Sequence, residues 1–307
     1  MNRNKILLLV FGILLIVFLW KQFFSEGESR NFKEILVELD TARVTKIQLL
    51  TKVNSGVAVD LVRTGDQWEV SNGTVKDDAD QNSITGMLSS LVSLKPKRLV
   101  AKSEKKWSQY EVNDSLGTKV KVYAGEQELA DLVVGKFNFQ QNTRSMSTFV
   151  RLSDDEDVYS VEGFLSSTFN QEFSNLRDKT FLKTNKLDLT NLKFEYPGDS
   201  SFVLSKMGEQ WSVDGLEADS VAVQTYLNGI QNITQRQFDD TFGVDGKVAT
   251  YRLTVDGNNM NTIIIDGYGN ADDLILHSSL NENAYFEKGN LQVFEQLFVS
   301  RTNLILQ

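Results

Sequence analysis

The chain of 307 residues contains no cysteine. That excludes disulfides, a thiolate metal site, a cysteine nucleophile and an acylated-cysteine lipid anchor, so the fold must be held by burial. Proline occurs only at Pro96 and Pro197, and no proline-rich linker divides the chain. Histidine occurs once, at His277 in the strand-like run DDLILHSS. A Ser-His-acid triad would need it, and no G-x-S-x-G elbow accompanies it. Neither G-x-G-x-x-G nor a phosphate loop is present: Gly135-Lys136 and Gly246-Lys247 lack the upstream glycine and the following Ser or Thr. No cofactor and no nucleotide is expected, and no catalytic constellation stands out.

Charge is lopsided. The chain carries −9 overall, while the first 24 residues hold Arg3, Lys5 and Lys21 and no acid, leaving −12 on the remainder. Nucleic acid phosphates and anionic lipid headgroups both repel such a body, and nucleic acid is set aside as a partner.

What is present begins with ILLLVFGILLIVFLW, an apolar run without a polar side chain. From Ile6 through Trp20 to Phe24 a helix would reach about the thickness of a bilayer's hydrocarbon layer. The expectation is a transmembrane anchor over residues 1–24, with membrane lipid as its partner. Arg3 and Lys5 set the N-terminus in the cytoplasm and the bulk of the chain outside it. A cleaved signal peptide is the rival reading, but no small-x-small site follows the apolar core in LWKQFFSEGES.

The rest says nearly the same thing twice. GDQWEV around Trp68 answers GEQWSV around Trp211. Asp80 and Asp219, each after an alanine, stand where a helix N-cap belongs. Behind them Ile84, Met87, Leu88, Leu91 and Leu94 match Val223, Tyr226, Leu227, Ile230 and Ile233 in spacing, as one helix face would require. Paired β-rich runs follow in both copies, TKVKVYAGEQELADLVVGK and ATYRLTVDGNNMNTIIIDG, then FVRLSDDEDVYSV and LILHSSLNENAYFE. Hairpins without a βαβ rhythm predict an α+β fold: two homologous domains of mainly antiparallel sheet with packed helices, an internal duplication. The expected limits are a juxtamembrane segment over 25–43, repeats over 44–175 and 190–307, and a linker over 176–189.

Trp68 and Trp211 read as strand residues covering apolar surface, with ligand stacking as the other option. Asp78, Asp80 and Asn82 mimic the start of a calcium loop, but Ser83 and Ser89 stand where its glycine and glutamate belong; no metal site is assigned. Carboxylate pairs for glycoside hydrolysis depend on geometry alone, and the 41 acids of the chain name none.

The ordered runs WEV, ADQNSITGMLSSLVSLKPKRLV, WSQYEVNDSLGTKVKVY, LVVGK, FVRLSDDEDVYSV and FSNLRDKTFL resemble the bacterial family called domain of unknown function 4340. The likeness covers Val44 to Leu182 and extends toward the C-terminus through the repeat. It implies an accessory protein anchored in a bacterial inner membrane, its bulk periplasmic, beside membrane-protein partners of an ABC-type export or gliding transporter, with no established active site. It also implies a Gly-Lys turn at Gly135-Lys136. Tyr110-Glu111-Val112 stands where the family has a glycine. In LRDKT, Arg177 reads as a partner contact or, with Asp178, as a structural hub between domains. The expected function is a non-enzymatic scaffold subunit. An extracytoplasmic glycan- or peptide-binding module is the alternative, and a carboxylate-dependent carbohydrate hydrolase comes after it.

Overall fold

A computed structural model describes residues 33–142, 144–270, 273–287 and 291–306. The expected anchor, with Ile6, Trp20 and Phe24, lies outside them. Among the described residues no helix is long and apolar enough to cross a membrane.

The first body opens with strands β1 (Val37–Glu38), β2 (Lys46–Leu50), β3 (Ala58–Thr64), β4 (Gln67–Ser71) and β5 (Lys76–Asp78), then helix α1 (Gln81–Leu91). Strands β6 (Ser93–Leu94) and β7 (Pro96–Ala101) and the single turn α2 (Trp107–Tyr110) follow. It ends with β8 (Thr118–Ala124), β9 (Gln127–Gln140), β10 (Ser145–Leu152), β11 (Val158–Glu162), α3 (Leu165–Phe169) and α4 (Phe173–Leu176). The second body runs β12 (Thr180–Lys183), β13 (Leu189–Glu195), β14 (Phe202–Met207), β15 (Gln210–Val213), β16 (Leu216–Glu217) and α5 (Ser220–Gly229). It continues with β17 (Asn232–Thr234), β18 (Tyr251–Gly257), β19 (Ile263–Tyr268), β20 (Ile275–Ser278), β21 (Tyr285–Glu287) and α6 (Leu291–Leu297).

The fold is α+β and its strand pairings are antiparallel. The first sheet is ordered β5-β4-β3-β2-β8-β9-β10-β11-β7, the second β16-β15-β14-β13-β18-β19-β20-β21. The order is the same apart from β7, which lies along β11. In the second body Phe238 makes a single bridge to Phe286 at the corresponding edge. Strand alternation puts one face of each sheet inward: Ile47 and Leu49 of β2, and Leu192 and Phe194 of β13, are fully buried. Ile84, Met87, Leu88 and Leu91 of α1 cover the first core, while Val223, Tyr226 and Leu227 of α5 cover the second. Each such side chain contributes roughly 1.5–3 kcal/mol relative to exposure.

Three expectations need correction. Leu94 and Ile233 do not continue the helix face. Each sits in a short strand just past the helix, Leu94 paired with Val37 of β1 and Ile233 with Leu182 of β12. A strand keeps a side chain inward at every second residue, so the apolar spacing survives the change of structure. Second, the stretches 25–43 and 176–189 are more than connectors. They hold β1 and β12, and Val37 and Leu182 belong to the two cores. Such short strands offer too few residues for alternation to reveal them. Third, Gly135-Lys136 is no turn but the interior of β9. A Cβ on Gly135 would stand 2.3 Å from the Tyr110 carbonyl oxygen and 2.7 Å from Val112 Cγ1. The glycine therefore serves close backbone approach by the segment after α2.

Candidate functional site: the junction between the two sheets

The chain leaves the first body along the edge strand β5. Asp80 N–H donates to the Leu176 carbonyl at 2.8 Å, Ala79 bridges Arg177, and Asp178 N–H donates to the Asp78 carbonyl at 2.8 Å. This pairing holds Arg177 in extended conformation and aims its side chain inward. Its Nε donates to Asp77 Oδ2 at 2.8 Å and its Nη1 to Asp240 Oδ1 of the second body at 2.7 Å. The guanidinium lies 3.6 Å from the centre of the Phe238 ring and 5.5 Å from that of Phe173. Arg177 is 1% exposed and Asp77 2%. One cation thus joins acids and aromatic rings from both bodies, in the planar geometry a guanidinium supplies and an ammonium does not.

The surroundings are acidic. Burial pushes the Asp77 carboxyl upward against the opposing hydrogen bond and charge of Arg177. Partial burial also raises Asp78, and the nearby Asp178, Glu69 and Glu282 raise it further. Asp80 goes the other way: burial is outweighed by the Ser83 N–H and by Lys179, whose Nζ lies 3.0 Å from Asp80 Oδ2. Asn281 of the second body donates from Nδ2 to the Asp178 carbonyl at 2.9 Å, while its buried Oδ1 has no hydrogen-bond partner. Chemically the arrangement holds two bodies together. Removing either member of its buried pair would strand an uncompensated charge.

Asp80, Arg177 and Asp178 therefore meet at one place. Trp68, Trp211 and Asp219 do not join them. Trp68 lies in the first core, its backbone N–H and C=O both engaged by the Gln81 amide at 3.1 and 3.0 Å. Beside it a cavity of about 510 Å³ is lined by Thr41, Arg63, Asp66, Gln81 and Ser89 among others. Trp211 lies in the second core, 8% exposed. Asp219 caps α5, accepting from the N–H groups of Val221 and Ala222. His277 stacks on Tyr285, with Nε2 3.1 Å from the Glu282 carbonyl. Among the described residues no group of three or more His, Asp or Glu is arranged to hold a metal.

Residue patterns did not reveal Asp77, Phe238, Asp240 or Asn281. Asp77 sits in VKDDAD, where three acids compete for attention. No residue pattern singles out Arg151 either. It is 3% exposed, stacks 3.8 Å from the Trp107 ring centre and donates to the carbonyls of Val112, Leu152, Ser153 and Asp155.

Residues 72–254 match the model of the family described as Domain of unknown function (DUF4340). The chain belongs to that family. The DUF4340 match begins later than the likeness read from the sequence and ends well beyond Leu182, so it spans the Arg177 junction and enters both bodies. No curated protein and no solved structure matches the chain.

Proposed function

We propose that this protein is a non-enzymatic scaffold, anchored by its N-terminal apolar run in a bacterial inner membrane with the two-body portion outside the cytoplasm. It serves as an accessory subunit of an ABC-type export or gliding transporter assembly. The two bodies arose by duplication of one module, a reading supported by their shared strand order.

The observation that carries the scaffold reading is the junction. Its buried charge is spent on holding two sheets in fixed register through Arg177, Asp77 and Asp240. A subunit that passes position from a membrane tether to a partner needs this rigidity. Full-length protein extracted in mild detergent is expected to bring membrane-protein partners with it. Recovery as a lone monomer under those conditions overturns the proposal.

A second reading rests on the cavity beside Trp68, whose hydroxyl, amide and charged lining suits a polar ligand such as a glycan or peptide. A glycan or peptide library that raises the melting temperature would favour it, since only binding to the folded state does so.

A further inference from the structure

The longest strand, β9, outruns its counterpart in the second body. It spans Gln127–Gln140, whereas β19 spans only Ile263–Tyr268. The second sheet closes at the same place without the extension, so the protruding β9–β10 hairpin is not needed to complete the module. Its surface is unusual. Phe137 and Phe139 share a strand face, and Met146 lies directly opposite Phe139. The Phe164 ring stacks on Phe137 with centres 4.8 Å apart. These four side chains are 37%, 48%, 37% and 48% exposed, for Phe137, Phe139, Met146 and Phe164 in turn.

The charge around them runs against the rest of the molecule. No acid occurs from Gln81 to Ser103 or from Leu132 to Ser153, although the chain as a whole is strongly acidic. Topology brings these two stretches to one end of the sheet. Pro96 of β7 pairs with Val161 of β11, and β11 pairs with β10. Lys95, Lys97 and Arg98 therefore come to the same end of the sheet as Lys136 and Arg144. Lys136 and Arg98 stand on the face opposite the rings, and Lys97 meets Glu162 there at 3.1 Å. Entering end-on, a sheet with exposed aromatic and thioether side chains on one face and cations on the other suits the headgroup layer of an anionic membrane.

Reach permits the contact. Lys33 is paired with Asp155 in the β10–β11 turn, at the opposite end of β10 from the hairpin tip. Eight residues separate Phe24 from Lys33, a stretch that extends at most about 30 Å. The eight-residue β10 spans roughly 27 Å. A tethered body lying on its side can therefore bring the tip to the bilayer.

We propose that this end of the first sheet, Phe137, Phe139, Met146 and Phe164 on one face with the lysines and arginines of the other, is a second membrane contact that inserts among anionic phospholipid headgroups. The proposal rests on the anchored reading above. It fixes the orientation of the body on its tether.

The lack of native cysteine makes the test direct. Gln141→Cys at the exposed tip carries one environment-sensitive dye on the full chain, reconstituted in phosphatidylcholine vesicles with or without phosphatidylglycerol. The expected result is a blue shift and quenching by lipid-borne nitroxide when phosphatidylglycerol is present. Both signals should weaken at high salt and vanish when Phe139→Asp is added. Circular dichroism checks that this variant folds, and Lys136→Gln with Arg144→Gln gives a milder second test. A dye that stays in water while the chain resists carbonate extraction overturns the proposal and leaves the anchor standing. If carbonate removes the chain, the anchor reading falls. A shift on adding such released chain to anionic vesicles would still support the tip contact, and no shift would sink both. A signal that needs membrane protein as well as lipid overturns the lipid contact in favour of a protein partner.

Discussion

Arg177 and Ile305 occupy the same place in the two bodies. Each bridges the alanine before a helix cap, Ala79 or Ala218, and the residue before each, Leu176 or Leu304, accepts the cap's N–H at 2.8 Å. Two residues upstream of those alanines stand Asp77 and Leu216. The first body has a buried ion pair where the second has the half-buried Ile305 and an exposed Leu216.

Arg177→Ile alone leaves Asp77 buried without its cation and should cost about 3–5 kcal/mol. Adding Asp77→Leu should restore most of that loss, because an apolar pair carries no desolvation penalty. Urea unfolding of both variants checks it. A double variant no more stable than the single one would show that the pair is irreplaceable.

Asp78 should respond to pH. Its folded pKa is raised by partial burial and by Asp178, Glu69 and Glu282. A raised carboxyl favours the folded state most below its unfolded pKa of about 3.9, and that contribution is lost as pH rises through the folded value. Asp78→Asn should therefore raise the melting temperature at neutral pH and give no advantage below about pH 4. Asp80 is lowered and has the opposite sign, its contribution being present above that range and lost on acidification.

The helix caps should behave independently. Asp219→Ala removes hydrogen bonds to Val221 and Ala222 and should cost about 1 kcal/mol. Asp80→Ala should cost more, since the contact with Lys179 goes too. Because the two caps lie in separate cores, the losses should add to within about 0.5 kcal/mol in chemical denaturation.

Two backbone positions next to each other in space should respond in opposite directions. Glu111 ends α2 in the left-handed region with φ 58°, and Glu111→Gly should raise stability by about 1 kcal/mol. Gly135→Ala drives a methyl into the Tyr110 carbonyl and should cost about 1–3 kcal/mol. Paired melting curves test both; a tolerated alanine at 135 would discount the close approach.

The sequence carries the repeated parts of this fold well. Helix faces such as Ile84, Met87 and Leu88, the caps and the hairpins all have local signatures. The two-residue β1 and the four-residue β12 do not, for a strand that short shows no period. The junction was half visible. LRDKT drew attention to Arg177, but Asp240 and Phe238 come from a loop without regular pattern, and only folding brings them 63 and 61 residues along the chain back to Arg177. The exposed hairpin was equally silent, since an outward Phe137 and an inward Phe149 look alike in a list of letters.

Only Asp178 and Lys179 lie between the last bridge of the first body and the first strand of the second. Both are pinned. Asp178 donates to Asp78 on one side and accepts from Asn281 on the other, while the Lys179 carbonyl accepts from Gln235 and its ammonium meets Asp80. A hinge has no slack in which to form, so torque applied to the far sheet would turn the near one with it.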